Sequence, residues 1–310
     1  MLEQYCELRD GDCMRVGLLD VDNIHSKVKF PNLALMKLSA HHKSIGDQVE
    51  LYETMTWFNP YDRVYASKVF EFTNEPDFVI YGNEIIKGGI AYGLENKLPY
   101  EIEHTCPDYS LYGIKDKAYG FLTRGCPRNC SFCNVTQHQG NKSLKVSDLS
   151  EFWTGQKEIV LLDPNITACI DWKELLVDLS DSKALVDFTQ GIDIRTMTED
   201  KAHYINQVNY SKLHFAWDNY ELKTYEKLKK CREYFKGDGR NLIVYVLTNY
   251  NTTIEQDLER IYKLRELDYS PYVMIFDKFK APKQLRRIAR WVNNRFIWRS
   301  CARFEDYKTG

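Results

Sequence analysis

From residue 120 to residue 133 the chain reads Gly-Phe-Leu-Thr-Arg-Gly-Cys-Pro-Arg-Asn-Cys-Ser-Phe-Cys. Its three cysteines, Cys126, Cys130 and Cys133, fall in a C-x3-C-x2-C spacing. The apolar residues 119–122 before them read as a short buried strand. Gly125, Pro127 and Asn129 break regular structure, which puts the cysteines on a loop. A loop can fold three thiolates around one face of a metal cluster. A [4Fe–4S] cluster ordinarily takes four protein thiolates, so three leave one iron open. Catalytic metal sites keep such a position free, whereas structural sites are closed.

This spacing, with the aromatic Phe132 just before the last cysteine, resembles the signature of the radical S-adenosylmethionine enzymes. The likeness spans residues 119–280. It implies a [4Fe–4S] cluster on Cys126, Cys130 and Cys133, with S-adenosylmethionine on the open iron. It also implies a one-electron donor such as flavodoxin or ferredoxin. The competing readings are a zinc site with His138 as fourth ligand, and unrelated free thiols.

A chain of 310 residues suits two domains, or one large domain with an appendage. A formal charge of −2 makes no global case for nucleic acid. Nine cysteines with a single tight cluster point to a reducing, cytoplasmic setting rather than a disulfide framework. Neither an 18-residue apolar run nor a signal-peptide pattern is found, so no membrane span is expected.

Residues 1–13 are polar and aperiodic and read as an N-terminal extension. Strands are expected at 16–21, 49–52, 63–70 and 78–81. Between the first two, Pro31 opens a helix that Gly46 stops. The pattern predicts a small Rossmann-like parallel α/β domain over 14–105. It resembles the cobalamin-binding domain of some radical S-adenosylmethionine enzymes and the N-terminal domain of the methylthiotransferases. The Asp-x-His-x-x-Gly motif for cobalamin's lower ligand is absent. The nearest match, Asp22-Asn23-Ile24-His25, has the wrong spacing and no glycine. Some relatives bind cobalamin without that histidine, so a corrinoid stays as an alternative. Residues 14–105 contain no cysteine, which argues against a second cluster there. Residues 106–118 read as a linker.

Six strand candidates follow, at 119–123, 158–163, 184–190, 212–217, 241–248 and 272–277, with helical patterns between them. Thr253 is the expected cap of the last of those helices. The fold class expected is therefore α/β, with a partial (β/α)6 TIM-like barrel over 119–280. Barrel active sites lie at the C-terminal strand ends. The ends hold Asp163 and Asn165 after the second strand, Gln190, Asp193 and Arg195 after the third, and Asp218 after the fourth. The resemblance implies a Gly-Gly-Glu motif after the second strand for the cosubstrate's amine. That motif is missing, and Asp163 or Asn165 could supply the oxygens. Arg195 suits the methionine carboxylate, and Asp218 a ribose hydroxyl or the substrate. The competing readings are turn chemistry for Asp163 and Asn165, and a structural pair for Asp193 and Arg195.

Residues 281–310 form a basic tail. Nine basic residues and no acidic one lie between 278 and 303, with Trp291, Phe296 and Trp298 interleaved. Such a run can grip nucleic acid, while Leu285, Ile288, Ala289 and Val292 make a stripe that would pack on the barrel. The combined expectation is an enzyme that cleaves S-adenosylmethionine reductively to a 5′-deoxyadenosyl radical and abstracts hydrogen from a substrate. The alternatives are corrinoid-dependent methyl transfer and a nucleic-acid-binding protein with a structural metal.

Overall fold

The structure is a computed structural model and describes residues 13–26, 30–54, 60–93, 97–235 and 238–308. Residues 1–12 of the expected extension, Cys6 among them, lie outside this set. The chain is mixed α/β with parallel sheets. Among the described residues no helix is long and apolar enough to cross a membrane. Two compact units are present: Met1–Gly120 with Ser147–Lys157, and Phe121–Val146 with Glu158–Gly310.

The first unit holds β1 (Arg15–Asp20), α1 (Leu33–Ser44), β2 (Gln48–Leu51), β3 (Arg63–Ser67), β4 (Glu84–Gly88), α2 (Tyr100–Glu103) and β5 (Lys117–Gly120). The first four strands form one parallel sheet in the order β2-β1-β3-β4. Parallel strands bury both faces and so read as continuous apolar runs; β1 is buried from Val16 to Asp20. Val16 and Leu18 pack with Leu35 and Leu38 of α1, while Leu19 meets Val64 and Tyr61 in a second cluster. Pro31 stands one residue before the cap of α1, where Asn32 accepts a hydrogen bond from the Leu35 amide at 3.2 Å.

Several segments differ from expectation: the third strand stops at Ser67, and the strand expected at 119–123 is broken between Gly120 and Thr123. Residues 78–81 form no strand; Phe78 and Ile80 lean on the Tyr61 cluster instead. The fourth strand is Glu84–Gly88, whose register against β3 is pinned by Arg63 Nε donating to Glu84 Oε2 at 2.6 Å. Its polar ends hide it beside the more apolar run that precedes it. Residues 106–118 are structured as well. Asp108 accepts from Ser39 Oγ and Lys43 Nζ of α1, both at 2.6 Å, and the Tyr112 hydroxyl donates to Asp20 at 2.6 Å. Just before them, Ile102 is buried against Val16 and Leu35.

The second unit holds β6 (Thr123–Arg124), α3 (Val135–Gln139), β7 (Leu144–Lys145), β8 (Glu158–Leu161), α4 (Trp172–Asp181), β9 (Leu185–Phe188), α5 (Glu199–Ile205), β10 (Leu213–Ala216), α6 (Leu222–Arg232), β11 (Leu242–Thr248), α7 (Ile254–Glu266), β12 (Ser270–Ile275), α8 (Lys283–Asn293) and α9 (Arg295–Ser300). β8 pairs with β9, and β10, β11 and β12 pair in order, all parallel. Along β11 every second residue from Leu242 to Thr248 is buried, and those between are half-buried. α7 packs on β11 and buries Ile261 and Leu264, while α6 buries Leu228 and Cys231. Thr253 caps α7 as expected and forms a capping box with Gln256. α8 buries Leu285, Ile288, Trp291 and Val292 against Ile261 and Val273. Each such side chain contributes about 2 kcal/mol of apolar transfer.

Candidate metal centre

The cysteine loop leaves β6 at Gly125, which has φ +84°; a Cβ there would stand 2.1 Å from the Lys142 carbonyl oxygen. Only glycine fits both the left-handed conformation and the close approach. The Cys126 amide then donates to the Gly140 carbonyl at 3.1 Å, and Thr136 Oγ1 to the Arg128 carbonyl at 2.9 Å. α3 thus closes the loop onto itself. Cys126 and Cys130 are half-buried and Cys133 is exposed; all three are free thiols. Burial pushes the Cys130 thiol up, against the opposing pull of the Arg195 charge.

The ends of the next strands converge on this loop. After β9, Asp193 accepts from Arg195 Nε at 2.7 Å on one oxygen and from Arg128 Nε at 2.8 Å on the other. Burial favours the neutral acid, but the bonds and charges of the two arginines outweigh it and hold Asp193 below its ordinary range. After β8, the Asn165 amide donates to Cys126 Sγ at 3.4 Å and to Asp193 Oδ2 at 3.3 Å. Asn165 is itself buried, its carbonyl held by Ser143 Oγ at 2.8 Å. After β10 comes Asp218, whose carboxyl burial pushes up while Arg195 and Arg260 pull it down. Phe132 meets Tyr250 edge to face at 5.5 Å, and the Tyr250 hydroxyl donates to Ser131 at 2.8 Å.

Asp163 plays another part. Its carboxylate accepts from the Leu122 amide, the Thr123 amide and the Thr123 hydroxyl at 3.0, 2.5 and 2.7 Å. Those three donors tie the end of β8 to the start of the cysteine loop and occupy the oxygens otherwise offered to an ammonium group. Burial pushes its pKa up to about 6 despite the three bonds. Gln190 is exposed. In the first unit Asp22 accepts from the Val69 amide at 2.6 Å, and His25 is exposed.

Two residues that the sequence did not single out complete the arrangement. Arg128 lies between the first two cysteines, and its charge so close to thiols was the available signal. Arg260 of α7 is fully buried. It donates to the carbonyls of Trp217, Asp218 (3.1 Å) and Leu247 (2.7 Å), and pairs with Asp257 at 2.6 Å. It thereby fixes the ends of β10 and β11.

Among the described residues no group of three or more His, Cys, Asp or Glu side chains is drawn together as one metal ion requires. The zinc alternative on Cys126, Cys130, Cys133 and His138 is therefore not assembled. An iron–sulfur cluster makes a different demand, because each thiolate takes a separate iron and the sulfurs stand wider apart. The chemistry of the donor set suits such a group: three free thiols stand on one closed loop, and an amide donates to one of the sulfurs. No protein-family model and no curated protein matches the chain.

Proposed function

We propose that the second unit is a partial (β/α)6 barrel of a radical S-adenosylmethionine enzyme, with Cys126, Cys130 and Cys133 holding a [4Fe–4S] cluster. The observation that carries this reading is the convergence of Asn165 and Asp193, from two successive strand ends, on the C-x3-C-x2-C loop, with Arg195 paired to Asp193. When bound, the cluster supplies one electron to the sulfonium of S-adenosylmethionine, which is the family's route to a 5′-deoxyadenosyl radical.

The chain's own groups do the rest. Arg128 and Arg195 set positive charge beside the thiolates, and Asp193 fixes where both guanidiniums point. Arg195 spends its Nε on Asp193, which leaves its terminal nitrogens for the methionine carboxylate. Asp218 accepts from the cosubstrate's ribose or from the substrate. Phe132 and Tyr250 exclude water from the exposed side of the loop. Asp163 and Gly125 position the loop and do not touch the cosubstrate.

The test is oxygen-free reconstitution with iron and sulfide, followed by dithionite and S-adenosylmethionine, with 5′-deoxyadenosine quantified. Product that disappears in Cys126→Ala supports the reading. A full, reducible cluster that yields none, with or without an added oligonucleotide, overturns it.

A further inference from the structure

An aromatic row leads away from the cysteine loop. Phe132 meets Tyr250 at 5.5 Å, and Tyr250 meets Phe276, at the end of β12, at 4.9 Å, edge to face each time. Three residues on stands Phe279, 94% exposed, between the exposed Lys278 and Lys280. The chain then enters α8. Its apolar side is buried, and its outer side carries Lys283, Arg286, Arg287 and Arg290, all exposed. Their i, i+3, i+4, i+7 spacing makes one straight stripe, with a turn of about 5.4 Å between neighbours. α9 extends it with Arg295, which lies 4.9 Å over the ring of the exposed Phe296.

The charge on this stripe is not neutralised internally. Among the described residues Lys283, Arg286, Arg287, Arg290 and Arg295 have no carboxylate partner; Arg286 and Arg287 donate to neutral backbone carbonyls. The whole chain is formally at −2, whereas residues 278–303 hold nine basic residues and no acidic one. A membrane-binding helix would offer its apolar face to lipid, and α8 has spent that face on Ile261 and Val273. What remains is a track of cations with rings presented singly along it. That is the pairing a single nucleic-acid strand takes: phosphates on the cations and bases on the rings.

We propose that α8, α9 and the 276–282 turn form a docking track for a single-stranded nucleic acid, and that the row Phe279, Phe276, Tyr250 leads one of its nucleotides to the cysteine loop. The substrate of the proposed chemistry is then a nucleotide within a polynucleotide. This last clause rests on the radical reading, whereas the track itself does not.

The experiment follows fluorescence anisotropy of labelled single-stranded RNA and DNA oligonucleotides of equal length and sequence across a salt series. It uses the full chain and its Cys126→Ala variant, so that binding is read whether or not a cluster forms. Both proteins are expected to bind, and the tighter of RNA and DNA names the source of the strand. Replacing Lys283, Arg290 and Arg295 together by Gln is expected to reduce the slope of log affinity against log salt by about 2, from about 0.7 per lost contact. Phe279→Ala keeps the charge and is expected to weaken binding about tenfold. All these positions are exposed and leave the core unchanged. An unchanged slope in the triple variant, unchanged affinity in Phe279→Ala, or tighter binding to anionic lipid vesicles than to either oligonucleotide overturns the proposal.

Discussion

Asp193 and Arg128, 65 residues apart in the chain, meet at 2.8 Å and join the end of β9 to the middle of the cysteine loop. The same carboxylate holds Arg195 at 2.7 Å. One acidic group thus sets two guanidiniums beside the thiols, and its removal is the sharpest probe of the site. Asp193→Asn keeps the shape and removes the charge. A hydrogen bond to a charged group is worth about 2 kcal/mol, so urea unfolding should show a loss of about that size. Under the proposed function, iron bound per chain after reconstitution should fall with it, while Asn165→Ala, which removes one amide donor to Cys126, should lower the iron content less.

Asp163 makes the stability depend on pH in a predictable direction. Its folded pKa is about 6, above the ordinary 3.8, so the folded chain holds the proton where the unfolded chain has released it. Its contribution is therefore full below about pH 4 and declines as pH rises towards about 6, by roughly 3 kcal/mol in all. Asp163→Asn should lack this decline. Across that window the unfolding midpoint of the native chain should fall relative to that of Asp163→Asn as pH rises. Parallel curves would contradict the assignment.

Asp193 has the opposite sign. Its arginine partners hold the folded pKa below the ordinary value, so its contribution is present above about pH 4 and is lost on further acidification. Acid unfolding monitored by circular dichroism should begin at higher pH in Asp193→Asn than in the native chain.

Arg260 and Asp257 form a pair that is all but inaccessible to solvent. Cutting one member of such a pair strands the other in a low-dielectric interior and costs about 3–5 kcal/mol. Arg260→Met should lose that much in denaturant titration, and also free the carbonyls of Trp217 and Leu247. The double variant Asp257→Asn with Arg260→Met should recover part of the loss.

Tyr250 separates two contributions. Tyr250→Phe keeps the ring against Phe132 and drops the bond to Ser131, and should cost about 1 kcal/mol. Tyr250→Ala opens that side of the loop to solvent. Under the proposed function, the visible absorbance of the reconstituted protein should bleach faster in air in Tyr250→Ala than in Tyr250→Phe.

Local rules were legible before any coordinates. Thr253 announced the start of α7, and the apolar run within 241–248 announced β11. The strand-end residues Asn165, Asp193 and Arg195 were also visible, because a polar cluster after an apolar run marks the mouth of a β/α unit. Their partners were not. Whether Asp193 neutralises Arg195, Arg128 or both depends on a contact across 65 residues, which neither spacing nor periodicity encodes. Asp163 illustrates the same limit. Its place at a strand end was readable, but its commitment to Leu122 and Thr123 is a property of two neighbouring segments folded together. Arg260 sat inside a helix rich in charge, where nothing in the pattern distinguishes a buried guanidinium from a solvated one.

The closure of the cysteine loop by α3, Asn165 and the Asp193 hub has a bearing on how the protein matures. Small metal-dependent domains acquire their shape from the ion, and a chelator unravels them. Here glycine geometry, backbone bonds and the Asp193 pairs with Arg128 and Arg195 shape the cysteine loop. Under the proposed function, cluster delivery would be a transfer into a loop that the chain's own bonds already shape, and loss of iron would leave those bonds in place.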